Sequence, residues 1–408
     1  MGIYVNPGNE GFEESLRSEI YVDKSSLIAY TNKVLKTKQK YLCISRPRRF
    51  GKTMTAEMLS AYYSRGCESG GLFGNLHISK DMSYKNHLNQ YNVIFINMQS
   101  FLSNSADIAA MKRLITERIR QELLKEYPGF VDKDETILSF ILESVYEHTK
   151  RAFVIIIDEW DCVFREYKID KKAQEAYLDF LRDLLKDKTY AALTYMTGIL
   201  PIKKYGTHSA LNMFREFSMT DPREMSEFVG FTQDEVIGLC NIYNMDYEQM
   251  SAWYNGYRFS NAETVYNPKS VVEALMSKAF RDYWSQTETF EALSVYIKAN
   301  YDGLKDTVIA LLAGEKKLIN ISNFSNDMVT FETSDDVLTL LIHLGYLTYD
   351  YEAKEVSIPN KEIMDEFVTA IRAVGWSELF KDNTLLIGIS YDKKSKKHMC
   401  EIKRAKVI

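Results

Sequence analysis

Residues 41–53 read Tyr-Leu-Cys-Ile-Ser-Arg-Pro-Arg-Arg-Phe-Gly-Lys-Thr, a short apolar run that breaks into a basic loop and ends in Gly51-Lys52-Thr53. A loop that holds a nucleotide phosphate needs backbone N–H groups turned inward at a flexible residue, an ammonium for the β and γ oxygens, and a hydroxyl for Mg²⁺. Gly51, Lys52 and Thr53 supply them in that order. Met54, Met58 and Tyr62 follow at four-residue spacing, which predicts a helix whose positive N-terminal end faces the anion. One position departs from the common form. Five residues before Gly51 the loop carries Arg46, followed by Pro47, where a glycine is usual. Arginine does not take positive φ cheaply, so either the loop opens differently or the Arg46 guanidinium stands in for backbone amides. Arg48 and Arg49 read either as nucleotide contacts or as a solvated basic loop, and Phe50 completes the candidate binding stretch.

The second half of the site is the unbroken apolar run Phe153-Val154-Ile155-Ile156-Ile157, as expected of a strand covered on both faces, ending in Asp158-Glu159. Asp158 is expected to hold Mg²⁺ opposite Thr53. Glu159 is expected to orient and deprotonate the water that attacks the γ-phosphate, with Lys52 as its catalytic partner on the phosphates. A third apolar run, Ala191 to Thr197, ends in Thr197-Gly198. Thr197 reads as a sensor of the γ-phosphate or as a hydroxyl completing a turn. Lys203 and Lys204 follow, within reach of the phosphates or as ordinary exposed lysines.

A chain of 408 residues with 46% hydrophobic and 26% charged residues is a globular protein with room for two or three domains. Its apolar runs are too short to cross a bilayer, and the N-terminus lacks the basic and apolar regions of a secretory signal. The expectation is therefore a cytoplasmic protein with no membrane partner. Five scattered cysteines without a CxxC pair suggest neither a disulfide frame nor a zinc site, and the six histidines show no ligand spacing. A net charge of −5 argues against a general nucleic-acid binder, although residues 381–408 hold eight Lys or Arg against three Asp or Glu.

Strand candidates Val93–Met98, Phe153–Ile157, Ala191–Thr197 and Glu216–Met219 alternate with helical stretches such as Ile108–Lys125 and Ala173–Leu185. After a phosphate loop this alternation predicts an α/β parallel sheet with helices on both faces and the ligand at the strands' carboxyl ends, over residues 1–225. A mainly helical region is expected over 226–375. It opens with a capping-box spacing, Thr232 to Glu235, and carries aromatic turn segments at Trp253–Phe259 and Tyr266–Ser270. Asp335–Leu344, Tyr346–Tyr349, Val356–Ile358 and a helix from Asn360 follow in winged-helix order. The helix in the recognition position has no Lys or Arg over 337–344, so it reads as a packing element rather than a groove reader.

Ser45-Arg46-Pro47-Arg48-Arg49-Phe50-Gly51-Lys52-Thr53 resembles the variant phosphate loop of the AAA-ATPase-like family, whose bacterial members often carry a C-terminal PD-(D/E)XK nuclease-like domain. Tyr21-Val22-Asp23-Lys24, Ile157-Asp158-Glu159-Trp160-Asp161, Thr197 to Ile202, Trp253 to Tyr257 and Leu344 to Leu347 look like its other signatures, in its order. The resemblance implies an ATP and Mg²⁺ switch domain, a helical and winged-helix lid, and tolerance of arginine at Arg46. Its partner, a protein or a nucleic acid, is not named by any motif, and oligomerisation is left open. Only 33 residues follow Gly375, so residues 376–408 resemble a remnant of the nuclease-like domain, with Thr384 to Lys394 as part of its last hairpin. Glu401-Ile402-Lys403 with Asp392 spells the metal-site pattern without a sheet around it, and Lys393, Lys394, Lys396 and Lys397 read as a solvated turn. Nuclease activity is not expected. The competing readings are a residual ATP-regulated nuclease and a scaffold that binds nucleotide without hydrolysing it.

Overall fold

The computed structural model describes residues 2–202, 211–259, 264–284, 293, 295–297, 299–326, 328–374, 384–392 and 397–405, with side chains up to residue 371. Lys203, Lys204, Lys393, Lys394 and Lys396 lie outside the described residues. Five parallel strands form the central sheet: β1 (Tyr41–Ser45), β2 (Asn92–Asn97), β3 (Phe153–Asp158), β4 (Ala191–Gly198) and β5 (Arg215–Phe217), in the order β2-β3-β4-β1-β5. β1, β3 and β4 are buried at every position, which is why their sequences run apolar without alternation. Helices Ile108–Glu126 and Lys171–Leu185, capped by Asp107 and Asp170, pack apolar faces against this layer. The parallel α/β sheet read from the sequence is the observed one, and it is the sheet of a P-loop NTPase.

The strand boundaries differ slightly from the sequence expectation. Met98 begins a helix because Asn97 caps it, its side chain accepting from Ser100 N at 3.0 Å. The N-terminal segment adds an unexpected rim. Val5 bridges Ile94 in antiparallel fashion, and the Glu122 carboxylate accepts from the backbone N–H groups of Ile3, Tyr4 and Val5. That covers an edge that would otherwise offer unpaired backbone.

Beyond residue 225 the chain is mainly helical. Thr232 and Glu235 form the capping box at the start of helix Gln233–Tyr243. A small antiparallel sheet of β6 (Phe231–Thr232), β7 (Tyr257–Arg258) and β8 (Thr264–Tyr266) has the order β6-β8-β7, and it uses both aromatic segments that the sequence reads only as turns. Helix Ser334–Leu344, strands β10 (Thr348–Asp350) and β11 (Glu355–Ser357), and helix Lys361–Val374 follow in the expected winged order, with β9 (Lys317–Leu318) added beside β11. Helix Ser334–Leu344 is buried from Asp336 to Leu344, as its packing role requires. One apolar core runs from the central sheet through Leu338, Leu341 and Phe367. β12 (Thr384–Asp392) and β13 (Lys397–Ala405) form an antiparallel hairpin, with Gly388 opposite Glu401.

Candidate nucleotide site

The loop between β1 and the helix Lys52–Tyr63 turns at Gly51, whose φ of 87° lies in the left-handed region that a Cβ would strain. Arg49 also holds positive φ, at 71°, a costlier conformation for a side-chain-bearing residue. Gly51 leaves the first N–H groups of the helix open toward a cleft of about 1200 Å³. Lys52 is buried at the floor of this loop, and its ammonium donates to the carbonyls of Arg46 and Pro47 at 3.1 and 2.9 Å. Burial pulls its pKa below the ordinary value, against the carboxylates of Glu159, Asp158 and Asp161, which favour the charge.

Asp158, at the end of β3, is fully buried and gathers the site. Its Oδ2 accepts from Thr53 Oγ1 at 2.8 Å and Asn97 Nδ2 at 3.3 Å, and its Oδ1 accepts from Thr197 Oγ1 and from Glu159 N at 3.0 Å. The ends of β2, β3 and β4 and the first turn of the loop helix thus meet at one carboxylate, as the carboxyl edge of a parallel sheet allows. Glu159 follows at φ 53° and turns into the cleft, where its Oε2 forms an ion pair with Arg165 Nη2. Burial raises its pKa, opposed by Lys52 and Arg165.

The candidate residues do not all face the cleft. Arg48, Arg49, Phe50, Gly51, Lys52, Thr53 and Glu159 line it, whereas Arg46, Asp158 and Thr197 do not; Asp158 meets the cleft through its partners Thr53 and Asn97, which line it. Arg46 corrects the expectation of phosphate contact. Its guanidinium is fully buried, donates to the carbonyls of Ser45 and Phe217 at 3.0 Å and of Met225 at 3.3 Å, and lies 4.8 Å from the Phe259 ring. Burial lowers its pKa to about 9, and His343 is held neutral by its own burial first and by the Arg46 charge second. Thr197 is spent on Asp158 and reaches the cleft only through it.

The arginine-rich stretch instead packs on the C-terminal region. Arg49 Nη1 donates to Tyr283 O at 2.9 Å, and Phe50 is buried edge-on against Tyr257 with ring centres 5.2 Å apart. The segment that receives Arg49 is itself fixed by Glu362, which accepts from Tyr283 N at 2.8 Å, Trp284 N at 3.1 Å and Ser270 Oγ at 2.8 Å. One turn on, Glu366 is buried beside the Asp282 carboxyl.

Burial pushes the pKa of Glu362 up to about 7 and that of Glu366 up to about 8, the latter also by the carboxyls of Asp282, Glu362 and Asp365. A carboxyl whose folded pKa is raised adds stability that is complete below its unfolded pKa and lost as pH rises through the folded one. The melting temperature is therefore expected to fall between about pH 5 and pH 8. Glu366→Gln is expected to flatten that slope and to gain a few kcal/mol at pH 8.5 relative to wild type. Melting curves at several pH values check it, and an unchanged slope would place the titration elsewhere.

Sequence reasoning misses several residues here. Asn97 carries no signal beyond its place at a strand end, and Arg165 enters only because the short helix Cys162–Glu166 folds it back onto Glu159. Asp161, inside the Asp-Glu-Trp-Asp run, is fully buried and accepts from Ile199 N at 3.0 Å and Leu200 N at 2.8 Å, fixing the loop after β4. Gly198 permits this contact, since a Cβ there would stand 2.7 Å from the Trp160 ring and 2.8 Å from Asp161 Oδ1. The cleft is also lined by the apolar side chains of Ile20, Tyr21, Val22, Phe231, Val272 and Met276, with Lys24, Lys269 and Glu273 among them. Lys24 donates to both Glu235 carboxylate oxygens at 2.6 and 2.7 Å and to Glu227 O at 2.7 Å.

Among the described residues no helix is long and apolar enough to cross a membrane. An uncharacterized protein in the vnfD 5′ region of Azotobacter chroococcum mcd 1 is 24% identical over 255 residues, 60% of this chain and 47% of the relative. The match thus spans about half the length of that curated relative. Among solved structures, the Aeropyrum pernix ORC2 protein in its ADPNP and ADP complexes is similar over 89% of this chain and 98% of its own, at 11% identity and a TM-score of 0.33. The replication initiator DnaA bound to AMPPCP and single-stranded DNA matches over 88% and 90%, at 8% identity and a TM-score of 0.33. At these TM-scores the fold assignment rests on the chain's own sheet order. The profile of the AAA-ATPase-like family, described as Predicted AAA-ATPase, matches residues 8–207. That span carries the phosphate loop, the acid pair and four of the five strands of the central sheet, and residues 8–207 belong to the AAA-ATPase-like family.

Proposed function

We propose that this chain binds ATP with Mg²⁺ in the cleft and hydrolyses it to ADP and phosphate, as a switch that moves residues 226–375 against the sheet. The observation that carries the reading is the cleft's lining: Gly51, Lys52, Thr53 and Glu159 share one cavity with the apolar Ile20, Val22, Phe231 and Val272. A nucleoside triphosphate needs both kinds of surface, polar groups for its phosphates and apolar ones for its base.

In this reading the N–H groups after Gly51 and the Lys52 ammonium hold the β- and γ-phosphates. Lys52 exchanges the loop carbonyls it now binds for phosphate oxygens. Thr53 and Asp158 offer the hydroxyl and carboxylate oxygens that Mg²⁺ takes, and the ion would there neutralise phosphate charge. Glu159 orients a water toward the γ-phosphorus and takes its proton, and Arg48, Arg49 and Phe50 border the nucleotide while tying the loop to the C-terminal region. That tie supports the switch reading, because a shift of the loop on binding is felt directly at Tyr283 and Tyr257. We include in the proposal the division into residues 1–225, 226–375 and 376–408, the last as a remnant of a PD-(D/E)XK nuclease-like domain. Cytoplasmic residence and a protein or nucleic-acid partner remain parts of the same reading.

Mg-ATP at about a hundred times its dissociation constant is expected to stabilise the wild type by roughly 2.7 kcal/mol, and Lys52→Ala to abolish that gain. Thermal melting with and without Mg-ATP, and with Mg²⁺ removed by chelation, is the measurement. An undiminished gain in Lys52→Ala would mean that the phosphates bind elsewhere.

A further inference from the structure

Arg165 is the residue whose present partners are least like a final state for this chemistry. Its side chain is largely buried, 11% exposed, yet it lines the cleft beside Gly51, Lys52 and Thr53. Nη2 pairs with Glu159 Oε2, and Nε faces Asp161 Oδ1 at 3.5 Å. Asp161 is itself held by two backbone N–H groups, so it anchors the arginine stem while the Glu159 contact is the one at the cleft. Arg48 and Arg49 also line the cleft, but they belong to the loop itself, whereas Arg215 and Arg223 are engaged elsewhere. Arg215 pairs with Glu224 and donates to Tyr30 Oη, Arg223 pairs with Asp221, and neither lines the cleft.

Two requirements of the proposed reaction meet at this pair. A carboxylate that must take a proton from water is disabled while a guanidinium occupies one of its oxygens, because the ion pair fixes its direction and lowers its basicity. The transferring phosphoryl group, in turn, needs a cation on its equatorial oxygens, for which the planar fork of arginine is suited. Before nucleotide enters, the charges acting on Lys52 are the carboxylates of Glu159, Asp158 and Asp161 and the guanidinium of Arg165. A triphosphate brings anionic oxygens that compete with Glu159 for the guanidinium.

We infer that Arg165 is an arginine finger supplied by the chain itself, stored on Glu159 and transferred to the γ-phosphate when ATP binds. One movement then does two things. It places positive charge where the transferring phosphoryl group needs it, and it frees the Glu159 carboxylate to orient and deprotonate the attacking water. The bond from water oxygen to phosphorus forms as the bond to the β–γ bridging oxygen breaks, the proton goes to Glu159, and Arg165 changes partners without gaining or losing a proton. ADP lacks the γ-phosphate and leaves Arg165 on Glu159, so the arginine distinguishes the two nucleotides.

The inference rests on the proposal that the cleft hydrolyses ATP, and the test separates the two. Wild type, Arg165→Ala, Arg165→Lys and Lys52→Ala are compared in single-turnover hydrolysis and in displacement of a fluorescent nucleotide by Mg-ATPγS and Mg-ADP. Arg165→Ala is expected to lose about a thousandfold or more in turnover, the range that arginine fingers contribute. It should weaken ATPγS by about tenfold and ADP by no more than about twofold, the loss of one charge-assisted phosphate contact. Arg165→Lys, which keeps the charge and lacks the fork, should recover part of the turnover, and it serves alone if the alanine variant does not fold. Turnover in Arg165→Ala equal to or above wild type would reduce Arg165 to a restraint on Glu159 and overturn the inference. Equal weakening of ATPγS and ADP would overturn it too, making the arginine structural. A wild type without Lys52-dependent hydrolysis would instead sink the reading on which the inference stands.

Discussion

Glu159→Gln is expected to bind Mg-ATP about as well as wild type and to turn it over some 10²–10³-fold more slowly, about 3–4 kcal/mol on the barrier. The substitution keeps the size of the side chain and an oxygen that can accept from Arg165, so the fold of the strand end and its left-handed turn at φ 53° should persist. What it removes is the proton acceptor. Glu159 is partly desolvated, which raises its affinity for a proton, while Lys52 and Arg165 hold that affinity down, so its basicity is set by its neighbours. Asp158→Ala should behave differently. Its carboxylate accepts from Thr53, Asn97, Thr197 and the Glu159 amide, so its loss leaves several buried donors unsatisfied and should weaken Mg²⁺-dependent binding as well as turnover. Binding and turnover measured side by side decide the matter. Equal turnover in wild type and Glu159→Gln would leave a nucleotide-binding scaffold in place of an ATPase.

The second large effect belongs to Arg46. Arg46→Ala is expected to cost about 3–5 kcal/mol of stability, because it opens a cavity under the loop and leaves the carbonyls of Ser45, Phe217 and Met225 short of a donor. Arg46→Met fills much of the volume and should cost less, and the ATP affinity of this variant should fall by less than threefold since the guanidinium does not line the cleft. Denaturant unfolding and nucleotide titration on the same samples separate the two quantities. A variant of normal stability that no longer binds ATP would return Arg46 to the phosphates.

The contrast between these two residues marks how far the sequence could be read. The phosphate loop and the acid strand are legible because local chemistry and local pattern coincide: Gly51 is needed where φ is positive, Lys52 and Thr53 follow it without interruption, and the apolar run of β3 delivers Asp158 and Glu159 to its carboxyl end. Arg46 is misread for the same locality. Seen along the chain it replaces a glycine in a phosphate loop. Its partners are the carbonyls of Phe217 and Met225 and the ring of Phe259, which lie between 171 and 213 residues away and carry no sequence signature for an arginine. The aromatic segments around Trp253 and Tyr266 follow the same rule: read singly they are turns, whereas β7 and β8 exist because each supplies the other's hydrogen bonds.

The sequence by itself determined the parallel sheet, the loop that faces its carboxyl edge, the acid pair, and the helix-hairpin-helix order near the C-terminus. These follow from periodicity, punctuation and runs of neighbouring residues, all of which are properties of contiguous chain. Only the tertiary structure decided that Arg46 braces the loop from beneath, that Thr197 and Asn97 converge on Asp158, that Arg165 rests on Glu159, and that Ile20, Tyr21 and Val22 line one cleft with the helix Pro268–Ser277. The physical reason is that a guanidinium, a hydroxyl or an apolar side chain has no fixed use of its own. Burial and distance assign it one, and both are settled by which distant segments the folded core brings together.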